Sequence, residues 1–330
     1  MLQTKDFAVV ILNWNGKALL QQFLPSVLKY SDDAVIYVAD NASTDYSVAF
    51  ISETFPTVKI INNNENGGYA KGYNDALKHV EEPLICLVNN DIEVTENWLQ
   101  PIIAEFNTED TTAIIQPKIL DFKDKTHFEY AGAAGGFIDK YGYPYCRGRI
   151  FDTIEEDKGQ YNDTKAIFWA SGACFFIKNS VYKELEGFDE SYFAHMEEID
   201  LCWRAFNNNY NTKYIGTSTV YHVGGATLSN TNPRKTYLNF RNSLFTLLKN
   251  TDSNLLYKIW VRMVLDGVAG VRFLFQLKPA FLVAILKAHF SFYVNLPRLL
   301  KQRKQLPKRP GYYESSSIVW SYFIKKRTTF

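Results

Sequence analysis

Four polar tracts follow four apolar runs in the first part of the chain, and their residue types suit ligand binding. The tracts are Asn13-Trp14-Asn15-Gly16, Asp40-Asn41-Ala42-Ser43-Thr44-Asp45, Asn62-Asn63-Asn64-Glu65-Asn66-Gly67-Gly68 and Asn89-Asn90-Asp91. Carboxylate and amide oxygens bind hard cations and accept hydrogen bonds from polar ligands. A single tract of this kind is ordinary turn chemistry, because Asn, Asp and Gly favour turns. Four in succession predict a binding site.

An acidic segment at residues 196–204 is the second candidate for chemistry. If it is helical, Glu197 and Asp200 are three residues apart and Asp200 and Arg204 are four apart, so one face carries an ion-paired cluster. Glu198 points away from that face. The simplest interpretation is a solvated acidic helix start, which the helix dipole favours. Apolar neighbours indicate a partly buried helix instead, namely Phe193, Leu201 and Trp203.

The elements that must position these residues alternate between strands and helices. Strands are predicted at Phe7–Leu12, Ala34–Ala39, Val58–Ile61 and Leu84–Val88, and helices at Lys17–Lys29, Asp45–Thr54 and Tyr69–Val80. Ser43 or Thr44 is predicted to cap the second helix. This alternation predicts βαβ units in a mostly parallel sheet, whose ligands bind at the carboxyl ends of the strands. The polar tracts all follow strands, so we expect them to share that edge.

Composition limits the classes of protein that the chain can belong to. Hydrophobic residues make up 46% of its 330 residues, which is enough for a substantial core and excludes a disordered chain. The four cysteines are far apart and form no Cys-x-x-Cys, which argues against a zinc knuckle or disulfide scaffold and fits a reducing compartment. The N-terminus has no signal-peptide pattern, so secretion is not expected.

Charge is divided unevenly along the chain although the net charge is only +1. Residues 251–330 hold 14 Lys+Arg and 3 Asp+Glu, a net of +11, which leaves residues 1–250 with 22 and 32, a net of −10. A near-neutral total argues against a general nucleic-acid binder. The asymmetry predicts that the C-terminal region has a different partner from the body of the chain.

Seven segments carry a resemblance to a known family: NWNG, VADNASTD, NENGGYAKGYN, VNND, SGACFFIKNSVYKELEGFDESYF, HMEEIDLCWR and YHVGG. In this order and spacing, over residues 7–225, they resemble family 2 glycosyltransferases of the GT-A fold. The likeness is greatest to the bacterial rhamnosyl- and galactofuranosyltransferase-like branch. The resemblance implies an α/β GT-A domain over residues 1–235, divided into a nucleotide-binding half (1–115) and an acceptor and metal half (116–235). Residues 236–330 would form a helical, basic, membrane-associating extension.

The resemblance also implies a nucleoside-diphosphate sugar donor, a UDP- or dTDP-sugar. The donor-binding residues that it implies are Asn13, Asn15, Asp40, Gly67, Gly68, Lys71, Asn74, Asn90, Gly172 and Ala173. Asp40 would contact the nucleotide, and Asn13 and Asn15 would frame the base. Gly67 and Gly68 would let the backbone approach the ligand, or else form an ordinary turn. The helix that follows would offer its N-terminus to the diphosphate.

A divalent cation, Mg²⁺ or Mn²⁺, is implied by the position of Asn89-Asn90-Asp91, which matches the family's Asp-x-Asp motif. The sequence departs from the motif at Asn89, a neutral ligand, so Asp91 is the principal acidic ligand and metal dependence is less strict. His222, in the segment His222-Val223-Gly224-Gly225, is implied as a further ligand. Without the resemblance, a hydrogen-bonded histidine at a strand end is the simpler interpretation.

The resemblance implies an inverting reaction, in which a general base deprotonates the acceptor hydroxyl as it attacks the anomeric carbon. Glu198 lies at the position of the family's general base, and Glu197 is the second choice. The acceptor would be a hydroxyl of a glycan or lipid-linked glycan in cell-surface polysaccharide synthesis. Because Asn89 is neutral, an alternative remains: a catalytically weak scaffold subunit that binds a sugar nucleotide. A nucleotidyltransferase would need a Gly-rich basic loop after the first strand, and the sequence there does not supply it.

The C-terminal region is predicted to be helical and amphipathic. Apolar residues fall on one face, namely Leu255, Ile259, Trp260, Met263, Val264, Val268 and Val271, while Lys258, Arg262 and Asp266 mark the other. Pro279–Pro297 is mainly apolar. Six basic residues follow it: Arg298, Lys301, Arg303, Lys304, Lys308 and Arg309.

This pattern favours an interfacial helix pair on an anionic membrane, which would place the protein peripherally on the inner face of the cell membrane. A helical lid or dimer interface and a transmembrane hairpin are the alternatives, and nothing else supports a nucleic-acid partner. The sequence makes no prediction of the oligomeric state.

Overall fold

A nine-stranded sheet is the centre of the structure, a computed structural model that describes residues 1–224 and 232–330. The strands are β1 (Phe7–Asn13), β2 (Val35–Asp40), β3 (Lys59–Asn62), β4 (Leu84–Asn89), β5 (Ile92–Val94), β6 (Thr112–Asp121), β7 (Gly136–Ile138), β8 (Pro144–Cys146), β9 (Arg149–Ile150), β10 (Thr153–Ile154), β11 (Thr164–Ile167), β12 (Cys174–Lys178) and β13 (Asn211–His222). The helices are α1 (Lys17–Tyr30), α2 (Ser47–Thr54), α3 (Gly68–Leu77), α4 (Gln100–Phe106), α5 (Asn179–Glu184), α6 (Glu197–Asn207), α7 (Pro233–Asn250), α8 (Leu255–Phe275), α9 (Pro279–Gln305) and α10 (Ile318–Phe323).

The first half of the sheet is parallel, in the order β3-β2-β1-β4, as the alternation of strands and helices predicts. Asn13 is in register with Asp40 on one side, and Leu12 with Asn89 on the other. The polar tracts therefore end at the same edge. The strands form here because β1 and β4 are apolar runs buried on both faces, between helices that connect one parallel strand to the next.

Beyond β4 the sheet is mixed. β12 runs antiparallel to β4 and to β6, whereas β13 is parallel to β6 and antiparallel to β11 and β5. Antiparallel neighbours need no helical crossover, so this half lacks the regular spacing that identified the first four strands. Its result is to bring the end of β13 next to the end of β4.

The predicted cap of the second helix is wrong. The residue at the N-cap of α2 is Tyr46, with a φ of 64°, and neither Ser43 nor Thr44 caps the helix. The carboxylate of Asp45 accepts hydrogen bonds from the backbone N–H of Ser47, at 3.1 Å, and from its hydroxyl. Asp45 therefore supplies the acceptor one residue before the N-cap, and the helix starts two residues later than predicted.

Residues 116–165 contain a small antiparallel sheet, β7 to β10, that the sequence did not reveal. The C-terminal segment packs against it. Asp139 accepts a hydrogen bond from the backbone N–H of Ile318 at 2.9 Å, and the ring of Phe330 lies 5.0 Å from that of Phe137. Two or three residues per strand are too few to show a periodic pattern, which explains the omission.

A single hydrophobic cluster spans the predicted boundary at residue 235. It joins residues of the sheet region, such as Tyr73 and Trp203, to residues of the C-terminal helices, such as Phe245 and Phe292. Helix α7 packs along α9, and α9 packs against α8. The residues beyond 235 thus complete the core of the sheet domain. All four cysteines are free and buried.

Helix α8 is amphipathic as predicted, and it turns its charged face inward. Lys258, Arg262 and Asp266 are at most 3% exposed, whereas Trp260 is 64% and Val268 is 62% exposed. The inward-facing charged side chains form ion pairs and hydrogen bonds within the protein. The Nε of Arg262 donates to Asp266 at 2.8 Å, and its Nη1 to the carbonyl of Gly142 at 3.0 Å. Because the polar face is used for packing, the apolar face is left at the surface.

Four of the six basic residues predicted as one headgroup-binding cluster are bound within the fold. Arg303 donates to the carbonyls of Leu248 and Thr251, at 2.8 and 2.6 Å. The other three also have protein partners: Arg298 with Asp189, Lys308 with the carbonyl of Leu306, and Arg309 with the carbonyl of Phe206. Lys301 and Lys304 remain exposed. The free positive charge of this segment is therefore smaller than its composition suggests.

Among the described residues, α9 is long and apolar enough to cross a membrane, judged by length and composition alone. One side of it faces the protein, with Ile285, Ala288 and Phe292 buried. The other side is exposed, with Leu286 at 57% and Phe290 at 71%. Both α8 and α9 thus present apolar side chains to the surroundings.

Candidate active site

Side-chain hydrogen bonds join the carboxyl ends of β1 and β2. The amide of Asn13 donates to Asp40 Oδ1 at 3.0 Å, and the backbone N–H of Ser43 donates to Asp40 Oδ2 at 2.8 Å. Asn13 and Asp40 are at most 2% exposed. Asn15 belongs to the same network, because its Oδ1 accepts the backbone N–H of Thr44 at 2.7 Å. The side chains at these two strand ends are therefore held in fixed orientations.

Asn90 extends this network to the end of β4. Its Nδ2 donates to Asn13 Oδ1 at 2.9 Å. Gly16 is required beside it, because a Cβ at that position would lie 2.2 Å from Asn90 Nδ2 and 2.4 Å from Asn13 Oδ1. The structure thus brings Asn13, Asp40 and Asn90 together, as the shared strand edge predicts.

The glycine pair before α3 serves a contact within the protein. Gly68 has a φ of 78°, and a Cβ on it would lie 2.5 Å from the carbonyl oxygen of Phe193. That carbonyl accepts the backbone N–H of Tyr69 at 2.9 Å, and the N–H of Gly68 itself donates to Asn66 Oδ1 at 3.0 Å. Gly67 is the N-cap residue. The close approach predicted for a ligand is thus made at Gly68 by the Phe193 loop, and two N–H groups at the start of α3 are occupied.

Lys71 and Asn74, both implied as donor-binding residues, have partners within the protein. Lys71 pairs with Asp75, and with Glu65 at 3.5 Å. Asn74 Oδ1 accepts from the hydroxyl of Tyr182 at 2.6 Å and from the N–H of Phe188 at 2.9 Å, while its Nδ2 donates to the carbonyl of Phe188 at 2.9 Å. The amide of Asn74 is thus used by Tyr182 of α5 and by Phe188 in the segment that follows α5.

Asp91, Asn89 and His222 meet where β4 and β13 end. The Nε2 of His222 lies 3.1 Å from Asp91 Oδ1 and 3.4 Å from Asn89 Nδ2. The side chains of His222 and Asp91 are 7% and 5% exposed. Pairing of β5 with β13 sets this approach, since it aligns His222 with Ile92. Gly225 of the predicted motif lies outside the described residues.

Glu129 is a fourth member of this group that the sequence did not reveal. Its Oε1 lies 3.3 Å from His222 Nδ1, and the residue is 4% exposed. Burial alone would lower the pKa of His222, but the nearby carboxylates of Asp91 and Glu129 raise it to about 10. A lone acid in the otherwise apolar and small-residue stretch Phe128–Ile138 was the only available signal.

The residues in this group fit a divalent cation in part. Two ligands that each lie about 2.1 Å from an ion, at right angles, are about 3 Å apart, and Asp91 Oδ1 and His222 Nε2 have that separation. In residues 1–224 and 232–330, however, no three His, Cys, Asp or Glu side chains are arranged as a metal cluster. The neutral Asn89 stands where a second carboxylate would complete one. Further ligands would have to come from a bound diphosphate and water.

Gly172 and Ala173 lie between this group and Glu198. The carbonyl of Ala173 accepts the backbone N–H of Asn89 at 2.9 Å. On the other side, a Cβ on Gly172 would lie 3.8 Å from the carboxyl carbon of Glu198, and the Gly172 carbonyl accepts the hydroxyl of Tyr69 at 2.7 Å. A glycine here leaves room beside the Glu198 carboxylate.

Glu197 and Glu198 begin α6 with poorly solvated carboxylates. Oε2 of each is buried and makes no hydrogen bond within the described part of the chain. Burial raises the pKa of Glu198 to about 7, and burial together with repulsion from Glu198 raises the pKa of Glu197 well above its usual range. A carboxylate with a pKa near neutrality is suited to proton transfer.

Asp200 differs from its two acidic neighbours because it is ion-paired. Arg204 Nε lies 2.9 Å from Asp200 Oδ2, as the helical spacing predicts, and Lys249 Nζ lies 3.0 Å from Oδ1. Burial would raise the pKa of Asp200, but Lys249 and Arg204 lower it. Glu197 takes no part in this pair. Helix α6 therefore carries two kinds of carboxylate: that of Asp200 is ion-paired and structural, whereas those of Glu197 and Glu198 have raised pKa values.

The loop that leads into Glu197 is held by a residue of α7. Three non-glycine residues of this loop have positive φ: Phe193 (64°), His195 (70°) and Met196 (73°). The Nδ2 of Asn242 donates to three of its carbonyls, those of Tyr192 (3.1 Å), Ala194 (3.0 Å) and His195 (2.7 Å). Such backbone conformations persist only when their surroundings fix them. Asn242 supplies that constraint, and no sequence motif marked it.

Comparison with known proteins identifies relatives of this chain. A model of glycosyl transferase family 2 matches residues 8–186. An N-acetylglucosaminyl-diphospho-decaprenol L-rhamnosyltransferase of Mycobacterium tuberculosis is 22% identical over 236 residues, which cover 66% of this chain and 76% of the relative. The low-salt glycan biosynthesis hexosyltransferase Agl10 of Haloferax volcanii is 22% identical over 284 residues, 83% of this chain and 86% of the relative.

Solved structures show the same fold. GalNAc-T7, crystallised with UDP, GalNAc and Mn²⁺, superposes with a TM-score of 0.59 at 15% identity and covers 75% of this chain, which spans 48% of that protein's chain. The mannosyltransferase PcManGT of Pyrobaculum calidifontis, with GDP-Man and Mn²⁺, gives 0.55 at 11% identity and covers 87% of both chains. At these identities the likeness concerns the fold alone, and it confirms the predicted GT-A architecture.

Proposed function

The chain belongs to glycosyl transferase family 2, and from that premise we propose an inverting enzyme that transfers a sugar from a nucleoside-diphosphate sugar to a hydroxyl of a glycan or lipid-linked acceptor. The observation that carries the proposal is the position of Gly172, between the Asn89, Asp91 and His222 group and the Glu198 carboxylate. That arrangement provides a place for a leaving diphosphate on one side and for a base on the other. The activities of these relatives support a role in cell-surface glycan synthesis.

The donor would bind along the edge formed by the ends of β1, β2 and β4. Asp40 would orient the nucleotide, because its carboxylate oxygens retain lone pairs beyond the hydrogen bonds already made, and the buried Asn13 would hold that carboxylate in place. Asn15 and Asn90 hold the surrounding loops in place. Their preorganisation reduces the ordering that binding requires. A UDP- or dTDP-sugar is the donor that we propose.

Glu198 acts as the general base in this mechanism. Its carboxylate takes the proton from the acceptor hydroxyl while that oxygen forms a bond to the anomeric carbon. The bond from that carbon to the diphosphate oxygen breaks in the same step, and the diphosphate leaves with the electron pair. Attack opposite the leaving group inverts the configuration. Glu197 is the second candidate; burial and repulsion from Glu198 raise the pKa of its carboxyl well above the usual range.

Asp91 and His222, the latter after losing its proton, would hold a divalent cation, Mg²⁺ or Mn²⁺. Asn89 would be a weaker ligand, after a rotation of its amide that brings in the oxygen in place of the nitrogen that faces His222. When bound, the ion supplies positive charge that stabilises the departing diphosphate. Glu129 orients His222 from its other ring nitrogen. Such an outer partner fixes the ring of a ligating histidine.

Helices α8 and α9 would place the enzyme on the inner face of the cell membrane. Their outward side chains are apolar, and the exposed cations include Lys278, Lys287, Lys301 and Lys304. Such a surface matches the headgroup boundary of an anionic bilayer. Because α9 also packs along α7, we propose that it lies on the membrane instead of crossing it.

A donor-binding scaffold subunit is the second candidate, and the neutral Asn89 favours it. One experiment separates the two: donor hydrolysis is measured for UDP-, dTDP- and GDP-sugars with Mn²⁺, beside binding of the same nucleotides by thermal shift. An enzyme hydrolyses at least one donor, and Glu198→Gln loses transfer but still binds that nucleotide. Binding with no turnover for any donor would establish the scaffold instead.

A further inference from the structure

A groove of about 880 Å³ runs between the start of α7 and the first half of α9. Its volume lies in the range of small-molecule sites. The α9 side is apolar, with Val283, Ala284 and Phe290 among its lining residues, and Tyr237 of α7 faces them. The polar part of the lining includes Ser291 and two cations, Arg234 and Lys287, and no acidic residue of the described chain contributes to it.

One end of the groove adjoins the loop that carries the proposed base. The guanidinium of Arg234 stacks over the ring of Phe193, 5.1 Å from its centroid. Phe193 contacts Gly68 at the start of α3, and Glu197 and Glu198 follow it in sequence. Arg234 therefore stands at the junction of the groove and the proposed active site.

The rest of the lining belongs to the surface that we assign to the membrane. Val283 and Phe290 are 46% and 71% exposed, and they lie on the same helix as Val294, at 63%. A ligand that has to pass from a bilayer to the base would meet an apolar wall first and Arg234 last. Guanidinium groups form strong paired hydrogen bonds with phosphate oxygens.

We propose that this groove binds the lipid-proximal part of the acceptor, an isoprenoid chain joined to a diphosphate. The chain would lie against Val283 and Phe290, with the diphosphate at Arg234. Lys287 adds positive charge along the path. The inference rests on the proposed function, since it names the acceptor class of the same site, and it assigns the groove a ligand distinct from the nucleotide donor.

Binding of farnesyl diphosphate to the full-length protein, followed by titration calorimetry, tests the proposal. Val283→Glu puts a charge against the apolar wall and is expected to weaken binding by about tenfold or more. The matched control is Val294→Glu on the same helix, outside the groove lining, which is expected to leave binding unchanged. Val283 is partly exposed, so the substitution does not bury a charge in the core.

Two further ligands separate the chain from the phosphates. Arg234→Ala is expected to weaken farnesyl diphosphate by about tenfold while leaving farnesol unchanged, because only the former has phosphate oxygens to lose. Lys301→Ala, which removes an exposed cation of α9 away from the groove, is the control. Inorganic diphosphate is expected to bind more weakly than farnesyl diphosphate.

Three results would overturn the proposal. The first is farnesyl diphosphate binding that Val283→Glu does not change, and the second is binding of farnesyl diphosphate no tighter than that of inorganic diphosphate. The third is a shift from dimer to monomer on Val283→Glu, which would show that a second copy of the chain covers the groove. Donor hydrolysis on the same proteins keeps the two questions apart. Wild-type protein that fails to hydrolyse any donor contradicts the proposed function, whereas the calorimetric result tests the groove by itself.

Discussion

His222 Nε2 and Asp91 Oδ1 lie 3.1 Å apart at the joined ends of β13 and β4, both almost fully buried. Asn89 is the third member of this group, 3.4 Å from the same imidazole nitrogen. The family motif has an acid at this position, so the chain lacks one negative charge where a cation would bind.

Asn89→Asp is therefore expected to bind Mn²⁺ more tightly, by about tenfold, because affinity for hard cations increases with the number of charged oxygen ligands. The measurement is the Mn²⁺ concentration at half-maximal donor hydrolysis, with titration of Mn²⁺ in the presence of UDP as a second readout. Asn62→Asp adds the same charge at the exposed end of β3 and serves as the control. An unchanged Mn²⁺ requirement would argue against a metal at this position.

Glu198→Gln is expected to reduce transfer by about a hundred- to ten-thousandfold while sparing nucleotide binding, since it removes a proton acceptor and little else. Glu198→Asp keeps a carboxylate and should retain part of the activity. The wild-type rate is expected to rise with pH and to level off above about 7, because the pKa of Glu198 is raised to about that value and only the ionised form is a base. A rate that is level from pH 5 to pH 9 is incompatible with this role.

The buried carboxylate of Glu198 should lower the free energy of unfolding at alkaline pH. The pKa of Glu198 is raised from 4.5 to about 7 by burial, so between these values the folded state keeps a proton that the unfolded state has lost. Stability therefore falls as pH rises through that window. Glu198→Gln is expected to raise the free energy of unfolding at pH 8 by about 1–3 kcal/mol and to change it little at pH 4. Urea unfolding at both pH values measures this, and equal effects at both would contradict the burial argument.

Asn242 is expected to act as a positioning residue. Asn242→Ala removes the donor that three loop carbonyls share, so kcat should fall by about ten- to a hundredfold while nucleotide affinity stays the same. Because relaxation of the loop would let water reach Glu198, the rise of the rate with pH should move to lower pH. Asn295→Ala on α9, whose amide bonds only within its own helix, is the control. Loss of stability without a change in the pH profile would show a purely structural role.

Membrane association is best tested by point substitution. Removing residues 251–330 would also remove Tyr312, whose ring lies 4.5 Å from that of the buried Trp203, and so damage the core. Trp260→Glu with Val268→Glu is expected to lower binding to phosphatidylglycerol vesicles by about tenfold or more, because both side chains are exposed and apolar. Ile154→Glu on β10 is the control. Unaltered co-sedimentation of the double variant would rule out α8 as the contact.

The sequence predicted the elements whose patterns are local. β1, β2 and β4 were found because each is a continuous apolar run ended by polar residues, and the register of Asn13 with Asp40 then follows from the parallel sheet. The Asp200–Arg204 pair was found because helical spacing fixes it. These features depend only on neighbours along the chain.

Other features depend on contacts between distant residues and had no local sign. Glu129 is next to His222, 93 positions away in the sequence, only because β6 and β13 pair over most of their length. Helix periodicity showed that α8 has two faces, but nothing in it says that the charged face turns inward, which depends on acceptors such as the carbonyl of Gly142. The family resemblance implied Asn74 as a donor-binding residue, but no local pattern showed that its amide also bonds to Phe188 in the segment after α5.

The stacking of Arg234 on Phe193 has an energetic consequence, because one residue borders both the groove and the loop before the base. Anything that shifts this side chain changes the free energy of both regions together. Binding at the two places is then linked, and linkage is reciprocal: whatever factor UDP imposes on the dissociation constant of farnesyl diphosphate, farnesyl diphosphate imposes on that of UDP. Two titrations, each with the other ligand saturating, measure that factor independently, and Arg234→Ala should bring it close to one.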